Sequence, residues 1–471
     1  MTARYGSFIA GGSDSHCYLS QARLWTHGWP IVHEPLIGQT KGALGRWTFI
    51  PLGYRPGLTT GTFVPICSIG YPLTMAAFVR VFGSGAGLSV VPLAAAGLVF
   101  LTGWLGRRVA GDIAGPMGSL LIATSPIFLF QSLQPMSDVP AAFFWTLSAC
   151  LIICGRAWAR IAIVPTVALA VLMRPNLAPL GLPVVALGLF VNRTDTQRYD
   201  WKMAAGTVAA LASGSLLVAY TNFVMFGSAA ASGYGAPGSL YELKFLWPNL
   251  QRYSRSLVDT ETYAILLAAV GIVRLWGRPI FQRTIAWYSV AVIAVVWLSY
   301  LFYTPFGDWT YLRFMLPALP LIFVAYTCVA QNRALLIGLA ALVLAGHIHF
   351  IGKNGVLGIG AAEQRYVVVA NHVRDALPAN ALLITAQHSG SIGYYTGRKI
   401  LRFDWLPPRQ LDNAITQMRG LGYRPYILLD DWEEQWFKSR FRRSRLSALD
   451  WKPVTEFTSA PRVRIYDPAQ R

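Results

Sequence analysis

Charge is scarce in this chain, and acidic charge is scarcer still. Of 471 residues only 13% are Asp, Glu, Lys or Arg, with 21 acids facing 40 bases, while 54% are hydrophobic and 13% aromatic. So apolar a composition excludes an ordinary soluble domain and marks a polytopic membrane protein. The net charge of +19 does not point to nucleic acid, because many of the bases lie in short loops between apolar runs and act as orientation signals. Cysteine is sparse too. Cys17, Cys67, Cys150, Cys154 and Cys328 are scattered, and only Cys150 and Cys154, one helical turn apart, have any ligand-like spacing. There is no Gly-rich phosphate loop, which argues against a nucleotide-sugar enzyme, and no low-complexity tract or short-period repeat.

What is present is a series of ten apolar runs near 88–106, 113–133, 139–155, 159–173, 177–191, 203–226, 261–276, 285–303, 314–331 and 334–350. A helical crossing of the hydrocarbon core needs roughly 17 to 25 residues, and the ten runs are read as about ten transmembrane helices. Alternate loops carry Arg107, Arg108, Arg156, Arg160, Arg193, Arg198, Lys202, Arg274, Arg278, Arg283 and Arg333 against only Asp112, Asp195 and Asp200. The positive-inside rule makes these loops cytoplasmic. Residues before 88 and after 350 are then external, as are Asp138, Arg174, the 227–260 loop and the 308–313 turn. The expected division is a 1–87 loop region, an 88–350 transmembrane bundle and a 351–471 external domain.

The stretch 61–82, interrupted by Pro65, Gly70 and Pro72 and carrying Arg80, reads as an interfacial helix rather than a span. The first ten residues, MTARYGSFIA, are too short to span and have no signal-peptide core. An external first loop therefore leads to the expectation of a further helix upstream.

After 350 the pattern changes. Residues 361–471 hold 17 Lys and Arg among alternating helical and strand signals. A helix through Val369, Val373 and Leu377 precedes a strand at ALLITA, a helix with Leu411, Ile415 and Met418 in phase, a strand at PYILLD, a basic helix and a last strand pair ending in RVRIYD. This predicts a small soluble α/β domain.

Residues 11–28 read GGSDSHCYLSQARLWTHG, a glycine turn with one carboxylate ahead of a short helix. Asp14 there can take a proton from an incoming hydroxyl, or cap the helix that follows. Asp138, in QPMSDVPAAFFW, has the same two readings. Glu34 beside His33 suits an acceptor or a divalent metal, though two residues make a thin ligand set. Arg174 in LMRPN, Arg313 in YLRFMLPALP, and Lys244, Arg252 and Arg255 on the 227–260 loop suit either a lipid phosphate or ordinary headgroups.

The motifs GGSDSHCYLSQARLW, IGYPLTMAAF, SPIFLFQSLQPMSDVPAAFFW, the RPN corner and YLRFMLPALP, in that order, resemble bacterial members of the GT-C glycosyltransferase superfamily. They are most similar to the group containing protein O-mannosyltransferases and the lipid A aminoarabinose transferase. HSGSIGYYTGR, ending at Arg398, also resembles a motif of bacterial relatives. The resemblance implies a GT-C-like α-helical bundle with a small C-terminal α/β domain, in a bacterial plasma membrane. It implies external transfer of a sugar from a polyprenyl-phosphate donor to a hydroxyl on a lipid, glycan or protein. Asp14 matches the family's base and Asp138 its second acid. Apart from the resemblance, their charge at the external membrane surface makes Arg313, Arg174, Lys244, Arg252 and Arg255 candidates for the donor phosphate, and His16, Tyr18, His33 and Glu34 are candidate acceptor or accessory groups. Two departures stand out: many relatives have paired acids where Asp14 stands between Ser13 and Ser15, and all have a helix before that loop. Competing classes are a transporter of lipid-linked sugars, which predicts discontinuous or charged helices near the midplane, and a membrane-anchored binding module.

Overall fold

A chain crossing hydrocarbon has no water to satisfy its backbone, so apolar runs fold as helices. All ten runs do so in the computed structural model, which describes residues 2–40, 44–191, 199–235, 237–458 and 461–471. Arg193, Asp195 and Arg198 lie outside the described residues. Five helices are long and apolar enough to cross alone: Ala86–Ala110, Trp201–Phe226, Ile280–Leu301, Trp309–Thr327 and Arg333–Lys353. Two further runs are bent pairs, Ala114–Thr124 with Pro126–Ser132 at 64° and Leu243–Glu261 with Tyr263–Trp276 at 111°. The remaining three, Asp138–Cys154, Ala157–Met173 and Pro175–Phe190, are shorter apolar helices. Five to seven of the ten runs therefore meet the length of a span. The shortfall has local causes. Gly155 ends one short helix in the left-handed conformation, and Pro175 ends the next by excluding the helical conformation at Arg174.

The chain divides into two compact units. One, the membrane unit, consists mainly of Ser68–Thr221 and Gly235–Leu357; the other, the sheet unit, combines Ser7–Cys67, Asn222–Tyr234 and Gly358–Arg471. In the membrane unit, small residues bring helices together. A Cβ on Gly106 would lie 2.8 Å from the Ala114 carbonyl, and one on Gly115 would lie 3.0 Å from that of Gly103. That approach lets Val90–Ala110 and Ala114–Thr124 pack backbone to backbone.

In the sheet unit, five strands form a mixed sheet. Ala381–Ile384 runs parallel to both Lys399–Leu401 and Arg424–Asp430; Val463–Tyr466 and Thr455–Phe457 extend it antiparallel. Alternation along the central strands sends Leu383 and Leu428 toward the helix Ile359–Ala376, and Leu382, Ile384, Ile427 and Leu429 to the other face. That second face is completed by Leu36, Leu44 and Phe49 from the first segment of the chain. The first loop and the tail thus share one core instead of standing apart. The expected tail strands and the other helices are present, but the basic helix expected to run to about 447 is not: the helix Asp431–Arg440 holds three acids and two bases, Arg442 and Arg443 lie in the turn after it, and Arg445 starts the 3₁₀ segment Arg445–Ala448. HSGSIGYYTGR forms the turn and helix Ser389–Thr396.

The stretch 61–82 is not one interfacial helix. Thr62–Pro65 is the middle strand of a three-stranded antiparallel sheet with Val32–His33 and Tyr54–Pro56, and only Gly70–Phe82 is helical. The aromatic and β-branched residues of TFVP favour the strand. A disulfide joins Cys17 to Cys67, a pairing that the scattered cysteines did not announce.

Candidate functional site

In the membrane unit, polar chemistry gathers where three chain breaks meet. Asp138 is the first residue of its helix; Ser137 before it makes no side-chain cap bond. Pro175 forces Arg174 into an extended conformation (φ −145°, ψ 91°) at the end of Ala157–Met173. The corner is fixed by Ser68, whose hydroxyl donates to the Met173 carbonyl at 2.7 Å, and by Gly70, where any side chain would strike the backbone of Leu172 and Met173. Arg313 sits in the 3₁₀ segment Trp309–Ala318, capped by Asp308, which accepts from the Thr310 amide at 2.8 Å.

The result is a fully buried Asp138 carboxylate 2.9 Å from Arg174 Nη1 and 4.0 Å from Arg313 Nε. Arg174 also donates to the Tyr300 hydroxyl at 3.2 Å. Both guanidiniums lie over the Phe314 ring, at 5.2 and 5.4 Å from its centroid, and Tyr300 stacks on Phe314 at 4.4 Å. Asn249, which the sequence did not single out, donates to the carbonyls of Tyr300, Leu301 and Tyr303 and fixes the end of the Tyr300 helix. So Asp138 is not a helix cap: its charge is turned to two cations. Lys244 pairs with Glu242 at 2.6 Å and Arg255 with Asp259 at 3.6 Å, both on exposed surface, and Arg252 is exposed as well. No described ion pair joins these three to Asp138.

A second buried polar group lies in the same unit. His347 Nε2 is 2.8 Å from Glu261 Oε2, with both side chains fully buried. Ser125 donates to Glu261 Oε1 at 2.7 Å, and Thr124 bonds His347 Nδ1 at 3.0 Å. Thr124 and Ser125 stand at the 64° bend and Glu261 at the 111° bend. The two discontinuities, which the sequence reading did not detect, are tied at one hydrogen-bonded centre.

In the sheet unit, Asp14 opens the helix Asp14–Trp25, again after a serine with no cap bond. It is partly exposed. The turn before it needs its glycines: Gly12 has φ +53°, and a side chain at Gly11 would strike Glu363 and Tyr366 of the tail. Behind this turn lies a polar network. Gln387 Nε2 donates to Tyr366 OH at 2.6 Å, its amide donates to Glu433 Oε1 at 3.0 Å, and His388 Nε2 lies 3.0 Å from Asp430 Oδ1. Burial pushes Glu433 up to about 8 and raises Glu363 as well. The sequence signal for this network was HSGSIGYYTGR, noted above only for its resemblance to a motif of bacterial relatives; Gln387 before it was not singled out.

Helix geometry separates the residues of the first loop. Cys17, Tyr18 and Gln21 follow Asp14 at helical spacing, whereas His16, Ser20, Arg23 and His27 lie on the opposite side. Tyr18 is buried. Glu34 is not poised for a metal, because Lys399 Nζ grips both of its oxygens at 3.0 and 2.9 Å. Among the described residues, no three His, Cys, Asp or Glu side chains gather as a metal set.

These features define an integral membrane protein with a small α/β unit. No protein-family model and no curated protein matches the sequence. Its fold is similar to that of solved structures. One is ArnT, the lipid A aminoarabinose transferase, from Cupriavidus metallidurans bound to undecaprenyl phosphate, at 11% identity and a TM-score of 0.54 over 97% of this chain and 94% of that one. Another is the Archaeoglobus fulgidus oligosaccharyltransferase tethered to an acceptor peptide, at 12% identity and a TM-score of 0.57 over 98% of this chain and 70% of that one. Both are members of the GT-C superfamily. The chain has the GT-C fold.

Proposed function

We propose that the protein is a membrane glycosyltransferase that moves a sugar from a polyprenyl-phosphate donor to a hydroxyl acceptor on the extracytoplasmic side. The observation that carries this reading is the convergence of Arg174 and Arg313 on one buried carboxylate and one aromatic ring. As the acceptor oxygen bonds to the anomeric carbon, the bond from that carbon to the phosphate oxygen breaks and its electron pair leaves with the phosphate. Paired guanidiniums in a low-dielectric setting stabilise that developing charge. The hydroxyl proton goes to a base, and Asp14 is assigned that role: it is a partly exposed carboxylate held on a rigid glycine turn. Asp138 is a positioning residue that holds both cations. The undecaprenyl phosphate in the ArnT structure supports a donor of the same lipid class. The disulfide supports the external placement of the sheet unit, since such bonds persist in oxidising compartments.

The test is transfer from a panel of radiolabelled polyprenyl-phosphate sugars by membranes containing the protein. Asp14→Asn keeps the shape of the side chain but cannot accept the proton. The expected outcome is normal protein level, retained donor binding and a loss of transfer of at least roughly 100-fold. Transfer at the parental rate would remove Asp14 from the mechanism.

A second reading, a transporter of lipid-linked sugars, is favoured by the Glu261–His347 pair at the two helix bends. Flipping of labelled donor in proteoliposomes without acceptor, abolished in Glu261→Gln, would support it over transfer.

A further inference from the structure

On the side of the Asp14–Trp25 helix that faces away from Asp14, the sheet unit encloses a cavity of about 510 Å³, within the about 300–1,000 Å³ typical of small-molecule sites. One wall is His16, Ser20 and Arg23 of the helix with His27 in the turn after it, and the opposite wall is the Gly390, Gly393 and Tyr394 side of Ser389–Thr396, continuing to Arg398 and Lys399.

The glycines explain why this space exists. A side chain at Gly390 would strike the His16 ring, so glycine there lets the two helices close. One at Gly393 would meet nothing within 4 Å, so glycine there leaves the wall open.

Charge in the cavity is unbalanced. Lys399 is neutralised by Glu34. Arg398 donates to the carbonyls of Ala379 and Leu377, and Arg23 lies 5.9 Å from the Tyr394 ring centroid. Among the described residues no carboxylate pairs with either arginine. Burial drops His16 to about 4, so the ring is neutral. Its Nδ1 lies 3.0 Å from the Leu52 carbonyl, which makes Nδ1 the donor and leaves Nε2 an acceptor.

A neutral acceptor that suits a hydroxyl, two aromatic rings at Tyr54 and Tyr394, and two cations without carboxylates form a mixed set. We propose that this cavity binds an anionic saccharide, with a phosphate or carboxylate on Arg23 and Arg398, a hydroxyl on His16, and the ring's C–H face against an aromatic face. Aromatic faces attract such partially positive hydrogens, and guanidiniums fork onto such anions. The site is separate from Asp14 and does not depend on the transfer reading.

The test is direct binding to the full chain in neutral phosphatidylcholine nanodiscs, titrated with glucose 6-phosphate, glucuronate, glucose and inorganic phosphate. Both anionic sugars should bind at least tenfold more tightly than glucose or inorganic phosphate. Arg23→Gln, at an exposed position, should weaken them at least fivefold. Gly393→Leu should abolish binding by filling open space, while Asp14→Asn should leave it unchanged. In a second arm, discs carrying phosphatidylinositol 4-phosphate compete with the soluble probe if the natural ligand is a lipid headgroup, and do not compete if it is free. Inorganic phosphate binding as tightly as glucose 6-phosphate, equal affinity for glucose, no binding by either anionic sugar, or undiminished binding in Arg23→Gln and Gly393→Leu would each overturn the assignment.

Discussion

The dipeptide Ser-Asp opens a helix twice in this chain, at residues 13–14 and 137–138, and the two copies have different chemistry. In both, the aspartate is the first helical residue and the serine makes no cap bond. Asp14 stands on a glycine turn within reach of water, whereas Asp138 is fully buried against Arg174. A carboxylate that must accept a proton needs access to an incoming hydroxyl. One that anchors cations needs the opposite, because burial strengthens its hold on them. A shared dipeptide at a shared helix position therefore does not define a role; the surroundings do.

The sharpest way to break this contrast is to neutralise each acid and measure stability. Asp138→Asn leaves Arg174 and Arg313 facing an amide, and breaking a buried pair costs about 3–5 kcal/mol. Asp14→Asn, at a partly exposed position in the first turn of its helix, is expected to cost about 1 kcal/mol or less. Thermal unfolding of both variants in detergent checks the pair, and an equal loss would erase the distinction.

Next in size is the bond that anchors the Asp14 helix. Cys17 and Cys67 close a loop spanning 50 residues, and replacing both with serine should destabilise the sheet unit by about 2–4 kcal/mol. Limited proteolysis should then cut within 7–67 before it cuts the membrane unit.

A smaller effect concerns the network behind Asp14. Burial raises Glu433 above its usual 4.5 to about 8. Its contribution to stability is therefore full below about pH 4.5 and is lost as the pH rises through about 8. His16, lowered from 6.5 to about 4, has the opposite slope: its contribution is present above pH 6.5 and is lost as the pH falls through about 4. Glu433→Gln should remove the alkaline decline only, so that its melting temperature relative to the parent is higher at pH 8 than at pH 5. Melting curves at the two pH values check this.

Local signals in the sequence carried much of the fold. Hydropathy located all ten apolar helical runs, and alternation located the tail strands at ALLI and PYILLD. Pro175 made the Arg174 corner readable, because a proline constrains its neighbour whatever the context. What escaped were relations between distant segments, which leave no periodic trace. The Cys17–Cys67 bond, the fit of Gly390 under His16, and the use of Leu36, Leu44 and Phe49 to finish the core of the tail are all of this kind. Hydropathy counts apolar residues but not bends, so Thr262, with its positive φ of 66° at the 111° break, was invisible to it. For the candidate site, Asp14, Asp138, Arg174 and Arg313 were each visible as isolated residues. That Asp138, Arg174 and Arg313 converge was not.

The discontinuous sheet unit also imposes an order on biosynthesis. Leu36, Leu44 and Phe49 are made well before the strands they pack on, which come from Gly358–Arg471. Throughout synthesis of the apolar helices in between, the early segment has no finished core to join, and half-built apolar surfaces of this kind favour aggregation. The one covalent tie this segment can make without the tail is the Cys17–Cys67 bond. Oxidation of that pair would hold the Asp14 helix in place while it waits. A nascent chain stalled before residue 358 would expose the same three side chains for as long as it persisted, making premature termination more damaging here than in a protein whose domains are continuous in sequence.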